Sequence, residues 1–363
     1  MIITLIIFII ILLLIIIFNK RAVPAFLYHQ VNPISNVSPE LFEEHLKVIK
    51  EYKMNTITIS EFYNKEVPTN SILLTFDDGY FDNYKYVFPL LKKYNMKATI
   101  FLNTLYIMDK RETEPEIKDN NTVNLEAMKE YIKSGKATIN QYMSWEEIKE
   151  MYDSSLIDFQ AHSHKHMAMF VDTKIEGLTN KKRMEAPELY LYGELQDNFP
   201  IFPKRGEYTG RATLIKKEFF KIFKDFYEKK IENKVTDKNE ILKKCQEFID
   251  ENKEYFSVES EAEYKKRIEE DFSENKKIIE KNLGNEVKFF CWPWGHRSKE
   301  TIKVLRELGV VGFISTKKGT NSMTANWDMI RRIELRNYSV KKFKINLLLA
   351  RNLILGKIYG WIS

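Results

Sequence analysis

The stretch Ser71-Ile-Leu-Leu-Thr-Phe-Asp-Asp-Gly79 decides the fold. Residues 71–76 are apolar on both faces, which is typical of a buried strand in a parallel sheet. The strand ends in two adjacent acids, Asp77 and Asp78, and a glycine that allows a sharp turn. Two acids at the end of a buried strand are costly unless a cation compensates them. The stretch therefore indicates either a divalent-metal site or an ordinary Asp-Gly turn.

A second polar cluster, His162-Ser-His-Lys-His166, directly follows a strand predicted at 156–161. It holds three of the six histidines of the chain. Imidazole is a common ligand for zinc and similar metals, and histidines four residues apart can converge on one ion. Two histidines with one carboxylate would leave a coordination position open for water. The alternative is a basic surface tract.

A third cluster, Phe289-Phe-Cys-Trp-Pro-Trp-Gly295, ends a strand predicted at 287–291. Tryptophan faces suit stacking on sugar rings, although core packing is their commoner use. Both roles stay open for Trp292 and Trp294.

Strand and helix signals alternate along residues 22–340. Further strands are predicted at 23–28, 56–59, 98–102 and 312–316, and helices at 84–94 and 299–308. Two helix starts are marked by Ser38-Pro39 and by a capping box from Ser144 to Glu147. This alternation predicts an α/β fold with a parallel sheet or barrel.

A polar excursion is predicted at 106–142, and a long, mostly helical insertion at 171–283. The insertion is rich in Lys and Glu, with apolar residues at helical spacing. Its tyrosines Tyr190, Tyr192 and Tyr208 predict a lid or a polymer-binding groove. The tail, 341–363, is basic and amphipathic, and is either a helix on a membrane surface or a terminal helix packed on the domain.

Residues 2–18 are apolar except for Thr4, which is close to the shortest length that spans a bilayer. No basic residue precedes the run and no A-x-A cleavage site ends it. Residues 1–21 are therefore predicted to be an uncleaved single-pass transmembrane helix, which places the protein at the cell membrane. We expect the catalytic domain to be extracytoplasmic, although Lys20 and Arg21 favour the opposite orientation.

The composition, with 44% hydrophobic and 13% aromatic residues, is that of a folded protein and not of a disordered one. The net charge of +6 over 363 residues is too small to indicate a nucleic-acid-binding domain. The two cysteines, Cys245 and Cys291, define no disulfide framework or cysteine metal site.

The three clusters together resemble the polysaccharide deacetylase family, the NodB-homology carbohydrate esterases. Residues Val23 to His29 are also similar to the opening of the membrane-linked and secreted poly-N-acetylglucosamine deacetylases. The resemblance covers residues 23–170 and 287–335. It implies an irregular (β/α) barrel of the NodB-homology type, with the active site at the carboxyl ends of its strands.

The resemblance also implies a role for each matching residue. Asp77 would be the general base, and Asp78, His162 and His166 would bind a divalent metal, zinc or else cobalt, nickel or iron. The backbone N–H of Trp294 would stabilise the oxyanion. Substrate contacts would come from Tyr28, His29, Trp292 and Pro293.

The function implied is removal of N-acetyl groups from an N-acetylhexosamine polysaccharide or a lipid-linked glycan. Water activated by the metal would attack the acetyl carbon while Asp77 accepts a proton. Two alternatives stay open: an O-acetyl esterase, and a glycan-binding scaffold without turnover.

Two positions depart from the family pattern. Cys291 stands where many members have an arginine that pairs with the base, so Arg331 or Arg332 is expected to supply that charge. The late Leu-x-His motif that carries the general acid is missing, because no histidine follows His296. The acid is therefore His296, His29, His164 or a protonated Asp77.

Overall fold

A computed structural model describes residues 4, 6–8, 10–11, 22–336 and 339–362. Its centre is an eight-stranded sheet. The strands are β1 (Ala25–Tyr28), β2 (Asn55–Ile57), β3 (Ser71–Asp78), β4 (Ala98–Asn103), β5 (Ile157–Ser163), β6 (Phe289–Cys291), β7 (Gly312–Ile314) and β8 (Ile333–Glu334). They lie in the order β7-β6-β5-β4-β3-β1-β8, and β2 also pairs with β3. Every pairing is parallel, as the apolar run of β3 predicted.

The sheet is curled. Ile330, three residues before β8, forms a parallel bridge with Ile314 at the end of β7. The segment that leads into β8, at one edge of the sheet, therefore contacts β7 at the other edge. The predicted parallel α/β barrel is confirmed as a curled parallel sheet, and the carboxyl ends of its strands meet at one rim.

Twelve α-helices are bounded in the part of the chain that the structure describes. They are α1 (Pro39–Glu51), α2 (Ile59–Tyr63), α3 (Phe88–Tyr94), α4 (Asn120–Ser134), α5 (Trp145–Asp153), α6 (Ala186–Tyr192), α7 (Lys217–Lys230), α8 (Lys238–Glu251), α9 (Glu261–Leu283), α10 (Lys299–Glu307), α11 (Val340–Ala350) and α12 (Leu353–Trp361). The caps predicted for α1 and α5 are present: Ser38 accepts from the N–H of Leu41, and Ser144 forms a capping box with Glu147. Helix α4 lies within the segment predicted as a polar excursion.

The insertion is smaller than predicted, because α9 belongs to the main fold. Ile268, Phe272 and Ile279 of α9 are fully buried in the same core as the sheet. Helix α9 covers the sheet on the way from β5 to β6, as a crossover between parallel strands requires. The rest of the insertion has a core of its own, with Phe219 and Cys245 at its centre.

Helices α6 to α9 account for 58 of the 113 residues in 171–283, and three short antiparallel strand pairs accompany them. They join Ala168–Phe170 to Lys204–Gly206, Gly177–Leu178 to Pro200–Ile201, and Thr213–Ile215 to Phe256–Val258.

The predictions for the two ends of the chain have different outcomes. Across the described residues, no helix has both the length and the apolar character needed to cross a bilayer. The predicted single-pass anchor, and the cell-membrane location inferred from it, are therefore wrong as stated; most of residues 1–21 lie outside the described residues. At the other end, α11 packs on the domain, because Phe343 and Leu347 are fully buried and the Phe343 ring lies 4.9 Å from that of Phe26.

Candidate active site

A cavity of about 640 Å³ opens at the rim where the strands end. The acids of β3, the histidines that follow β5 and His29 after β1 all line it. Helices α4 and α6 close one side with Asn120, Asn124 and Ala186. This position is the one that parallel α/β folds use for catalysis, because loops at the carboxyl ends can vary without disturbing the sheet.

Asp78, His162 and His166 converge at the base of the cavity. Asp78 Oδ1 lies 3.4 Å from His162 Nε2 and 3.7 Å from His166 Nε2, and the three ligand atoms lie within 4.8 Å of one another. One carboxylate oxygen with two imidazole nitrogens is a donor set that suits zinc and related divalent metals. These three residues are the ones that the resemblance implied as ligands.

The rings of the two histidines are held differently. His162 Nδ1 lies 2.7 Å from the carbonyl of Cys291 and donates to it, so Nε2 is the atom that faces Asp78. Burial opposes protonation of His162, but the Cys291 thiol and the carboxylates of Asp78 and Asp77 raise its pKa, so without a cation Nε2 carries a proton that it donates to Asp78. His166 Nδ1 accepts a 3.0 Å hydrogen bond from the indole N–H of Trp294. A neutral His166 ring in this arrangement carries its proton on Nε2. Metal binding by Nε2 of His166 therefore requires the Trp294 contact to open.

Charge pairing dominates the electrostatics of the triad. Burial disfavours the ionised form of Asp78, but the hydrogen bond from His162 and the proximity of the His166 imidazole hold the pKa of Asp78 well below its usual value. Burial lowers the pKa of His166 to about 4, so this ring is neutral near pH 7 and able to bind a metal.

Asp77 is buried beside the triad and paired with Arg332. Arg332 Nη1 lies 2.7 Å from Asp77 Oδ1, and Nη2 lies 2.8 Å from Oδ2. The arginine is itself fully buried and also donates to Thr75 Oγ1 and to the carbonyl of Ser315. Burial acts against ionisation of Asp77, yet the charge of Arg332 holds the pKa of Asp77 below its usual value. Arg332 thus supplies the charge expected from Arg331 or Arg332, whereas Arg331 donates to the carbonyl of Lys318.

The thiol of Cys291 contacts both members of this pair. Its Sγ lies 3.4 Å from Asp77 Oδ2 and 3.0 Å from Arg332 Nη2. Asp77, His162 and Cys291 form a second possible metal cluster. Both oxygens of Asp77 already accept from Arg332, and burial raises the pKa of the Cys291 thiol. The Asp78 triad is therefore the better metal site.

Three side chains at the cavity stand on left-handed backbone. The φ angles of Asp78, His166 and Trp294 are 77°, 56° and 60°. Such conformations cost of order 1–3 kcal/mol each in residues with a side chain and concentrate at functional sites. Gly79 follows at φ 83°, where a side chain would press against Leu102. The turn after β3 therefore needs glycine and aims Asp78 at the histidines.

Helix α9 holds the loop that carries the histidines. Asp271 accepts from the backbone N–H groups of His164 and Lys165 at 2.9 and 3.1 Å. Asn275 donates to the carbonyl of Leu102 at 3.0 Å and to the carbonyl of Ser163. Because the sequence placed α9 in a separate insertion, this support was missed.

Two further hydrogen bonds hold the candidate metal ligands in place, and one of them comes from the end of β4. Asn103 donates to Asp78 Oδ1 at 2.8 Å, and Ser163 Oγ accepts from the His166 N–H at 2.8 Å. Ser163 therefore positions the loop that carries His166. Asn103 was not predicted, although a polar residue after a buried strand was the signal that marked Asp77 and His162.

A buried acid lies beneath the histidine loop. Glu207 accepts from the N–H of Met167 at 3.1 Å. Burial, together with the charge of Asp271, raises the pKa of Glu207 to about 8. The Glu207 carboxyl does not line the cavity, and it contacts the histidine loop through the backbone N–H of Met167.

The predicted substrate contacts divide into two groups. His29 lines the cavity, with Nδ1 3.9 Å from Glu334, and Trp294 stands half-open at its mouth. Tyr28 is instead buried against Phe76, and its hydroxyl lies within hydrogen-bond distance of His45. Successive side chains along an extended chain point to opposite faces, so Tyr28 points away from the side that His29 occupies.

Trp292 and Pro293 are also buried. Trp292 reaches the cavity wall, but its ring stacks on Phe313 at 5.1 Å, so it packs in the core, the alternative that the sequence left open. Pro293 lies in the turn Pro293–Gly295 outside the lining of the cavity.

The insertion borders the cavity through residues 183–187 and not through its tyrosines. Tyr192 packs against Phe199 and Phe220 in the insertion's own core, and Tyr208 is buried with its hydroxyl on Asp271. Tyr190 lies half-buried near Tyr131. The predicted tyrosine groove is therefore wrong, since these rings fill the interior between the insertion and the sheet.

A curled parallel sheet with a buried Asp–Arg pair beside an Asp–His–His triad defines a class of α/β proteins with a hydrolytic type of site. The chain belongs to the polysaccharide deacetylase family, whose model matches residues 64–189 and 228–313, more than half of the chain. The resemblance inferred from the motifs is thereby confirmed.

Two curated relatives are similar over part of their length. A putative polysaccharide deacetylase of Bacillus subtilis is 36% identical over 105 residues, which cover 27% of this chain and 38% of the relative. The poly-beta-1,6-N-acetyl-D-glucosamine N-deacetylase of Staphylococcus aureus is 27% identical over 195 residues, 47% of this chain and 59% of the relative. The chain thus matches less than two thirds of the length of either relative.

Solved structures agree with the fold. A de-N-acetylase from Aggregatibacter actinomycetemcomitans has a TM-score of 0.56 at 16% identity, covering 89% of this chain and 99% of that one. A deacetylase domain from Bordetella bronchiseptica has a TM-score of 0.54 at 17% identity, covering 87% and 97%. At such identities the likeness concerns the fold alone.

Proposed function

We propose that the chain is a metal-dependent deacetylase that hydrolyses N-acetyl groups of an N-acetylhexosamine polysaccharide. The observation that carries the proposal is a buried, arginine-paired Asp77 beside the Asp78–His162–His166 triad in one cavity. Family membership and the printed activity of the Staphylococcus aureus relative support the substrate class.

The residues of the triad fit a divalent metal such as zinc. His162 Nε2 faces the Asp78 carboxylate, an arrangement that is repulsive unless a cation or proton lies between them. A divalent metal bound here would polarise an acetyl carbonyl and lower the pKa of water. Asn103 and the carbonyl of Cys291 orient Asp78 and His162 as supporting residues of metal sites do.

Asp77 is proposed as the general base. Because Arg332 keeps Asp77 ionised, its carboxylate can accept the proton of the attacking water at neutral pH. The fork of Arg332 also fixes the orientation of the carboxylate, so little reorganisation is needed when the proton moves. The backbone N–H of Trp294, at the cavity mouth, is the proposed partner of the developing oxyanion.

His29 is proposed as the group that protonates the departing amine. Among the histidines named from the sequence, His164 Nδ1 is bonded to Thr104, and His296 lies in a neighbouring cleft. His29 lines the cavity itself, and its Nδ1 lies 3.9 Å from Glu334 Oε1, which accepts a hydrogen bond from Arg336. An amine is a poor leaving group without a proton, so this role is needed for amide hydrolysis.

The test is acetate release from a β-1,6-linked N-acetylglucosamine oligomer, with and without added zinc. We expect release that requires metal, a loss of about 100-fold or more in Asp77→Asn, and loss of both activity and metal in His162→Ala. No release by a folded chain that binds zinc would refute the proposal. Oligomers that carry O-acetyl groups only would show whether an ester is the preferred bond.

His29 is tested with two substrates that differ in the leaving group. His29→Gln should lower acetate release from the N-acetyl oligomer by about 10²–10⁴-fold, the usual contribution of general acid catalysis. The same variant should act almost normally on p-nitrophenyl acetate, whose leaving group needs no proton. Equal losses on both substrates would show that His29 has another role.

A further inference from the structure

A second cleft, of about 590 Å³, lies beside the active-site cavity. Its lining consists of Arg205, Thr209, Gly295, His296, Arg297, Thr316, Lys317 and Lys318. Thr316 also lines the active-site cavity, and Gly295 follows Trp294 directly. A chain-like molecule bound in the cavity can therefore reach this cleft with its next sugar.

The cleft is strongly and uniformly positive. Arg205, Arg297, Lys317 and Lys318 all line it, and no acidic residue does. Among the described residues, none of these four side chains has a carboxylate oxygen within 4.0 Å, whereas many other Lys and Arg side chains are paired. Arg297 Nη2 also contacts Met329 Sδ at 3.1 Å, and Lys318 Nζ lies 3.8 Å from the centre of the Tyr359 ring. Neither contact neutralises a positive charge, and cations without a carboxylate partner around one concave surface attract anions.

The neutral groups of the cleft are donors as well. His296 Nδ1 accepts a hydrogen bond from the N–H of Gly206 at 3.1 Å. A neutral His296 ring therefore carries its proton on Nε2, which is a hydrogen-bond donor. Burial and the charge of Arg205 lower the pKa of His296, which favours that neutral form. The hydroxyls of Thr209 and Thr316 add further donors.

The wall between the two cavities is closely packed. Gly295 has φ 68°, and a side chain at this position would collide with Thr316. The turn that carries Trp294 therefore lies directly against the cleft. A group bound in the cleft would stand at a fixed position relative to the Trp294 side of the active site.

We propose that this cleft binds a phosphate group carried by the glycan, on a sugar next to the one that is deacetylated. The cations come from three separate segments, at 205, 297 and 317–318, and so surround the cleft instead of forming one planar fork. That arrangement suits the several oxygens of a tetrahedral phosphate better than a planar carboxylate, which a single arginine satisfies. The proposal rests on the proposed function, because it makes the substrate an anionic N-acetylated glycan.

The test compares two N-acetylglucosamine tetramers that differ only by one phosphate. Binding is measured by titration calorimetry and acetate release by kcat and KM, each with the full chain. Each exposed charge contact contributes roughly two- to fivefold in affinity, so the phosphorylated tetramer should bind at least tenfold more tightly. The gain should appear mainly in KM, because the contact is distant from the reacting carbonyl.

Two double variants separate the cleft from general surface charge. Arg205→Gln/Lys317→Gln should remove most of the gain for the phosphorylated tetramer and leave the neutral tetramer unaffected. Lys221→Gln/Lys224→Gln removes the same charge from an exposed face of α7 and should retain the gain. Equal binding of the two tetramers, or equal losses in the two double variants, would overturn the proposal.

Two further outcomes are distinct. Tight binding of the phosphorylated tetramer without acetate release from either tetramer would support the cleft and refute the deacetylase function. Inorganic phosphate that displaces the phosphorylated tetramer at equal concentration would show a site for free phosphate, and would overturn the glycan-borne source. Release from both tetramers with identical KM would retain the deacetylase and overturn the cleft.

Discussion

Replacing Arg332 by Gln should convert Asp77 from an ionised base into a protonated acid. Both oxygens of Asp77 accept from Arg332, and both residues are buried, so water cannot replace the lost charge. Removal of one partner of such a pair costs about 3–5 kcal/mol of stability. An adjacent arginine lowers the pKa of an aspartate by about 1–3 units, and burial without it raises the pKa further.

The pH dependence follows in sign. In the wild type the pKa of Asp77 is depressed, so its contribution to stability is present above about pH 3.9 and is lost as pH falls. In Arg332→Gln the folded-state pKa is raised, so stability falls as pH rises above that value. If the pKa reaches about 7, roughly one tenth of the molecules hold an ionised base at pH 6, and acetate release should fall at least tenfold there.

The assay is acetate release between pH 5 and 9, with denaturant unfolding at the same pH values. Arg331→Gln is the matched control, because the neighbouring arginine donates to Lys318 and does not touch Asp77. Arg332→Lys should be intermediate, since lysine keeps the charge but not the fork. An Arg332→Gln variant with the wild-type pH profile, or a larger loss in Arg331→Gln, would refute the reasoning.

Three further outcomes are expected. Trp294→Phe removes the donor that competes for His166, so zinc should bind about two- to tenfold more tightly in competition with a chelator. Glu207→Gln should be more stable than wild type at pH 8 by about 4–5 kcal/mol and equal near pH 4, because the wild type loses about 1.4 kcal/mol per pH unit as pH rises from about 4.3 toward about 8. Asn275→Leu removes the side-chain donor to the carbonyls of Leu102 and Ser163, and leaves Ser163 only the 3.4 Å contact with the Thr104 N–H, so it should cost about 1–3 kcal/mol of unfolding free energy and weaken zinc binding.

The controls for these three outcomes are specific. Weaker zinc binding in Trp294→Phe would show that the indole supports the metal form. A pH-stability slope in Glu207→Gln identical to that of wild type would mean that another group titrates in this range. For Asn275→Leu, the matched change Asn282→Leu, at an exposed position on the same helix, should leave metal affinity intact.

The candidate metal ligands could be predicted because each lies at the end of a buried parallel strand or just beyond it. Apolar runs mark such strands, and an acid or histidine at their ends has few structural uses. The partner of Asp77 could not be chosen from sequence, since Arg331 and Arg332 are neighbours and only the register of the chain decides which one faces the core. The structure resolves this because β8 pairs with β1, which brings Arg332 and not Arg331 to the carboxylate.

Other errors have a similar origin. Helix α9 is rich in Lys and Glu, and the helical spacing of Ile268, Phe272 and Ile279 predicts a helix without indicating that this stripe covers the sheet. Aromatic residues were read as candidates for sugar contacts, yet Trp292 fills the core instead. Burial on one face is a tertiary property that composition alone does not reveal.

The curl of the sheet determines how far the protein can be shortened. The stretch between the outer limits of the family match, 64–313, retains Asp77 and the three candidate metal ligands. It omits β1, β2 and β8, and it omits Arg332, the partner of Asp77. A version trimmed to those limits would keep the three motif clusters, yet would lose three strands of the sheet and the counter-charge of the proposed base. Expression boundaries for this protein should therefore be set by the path of the sheet, from Ala22 at least to Glu334, and not by the limits of the recognised motifs.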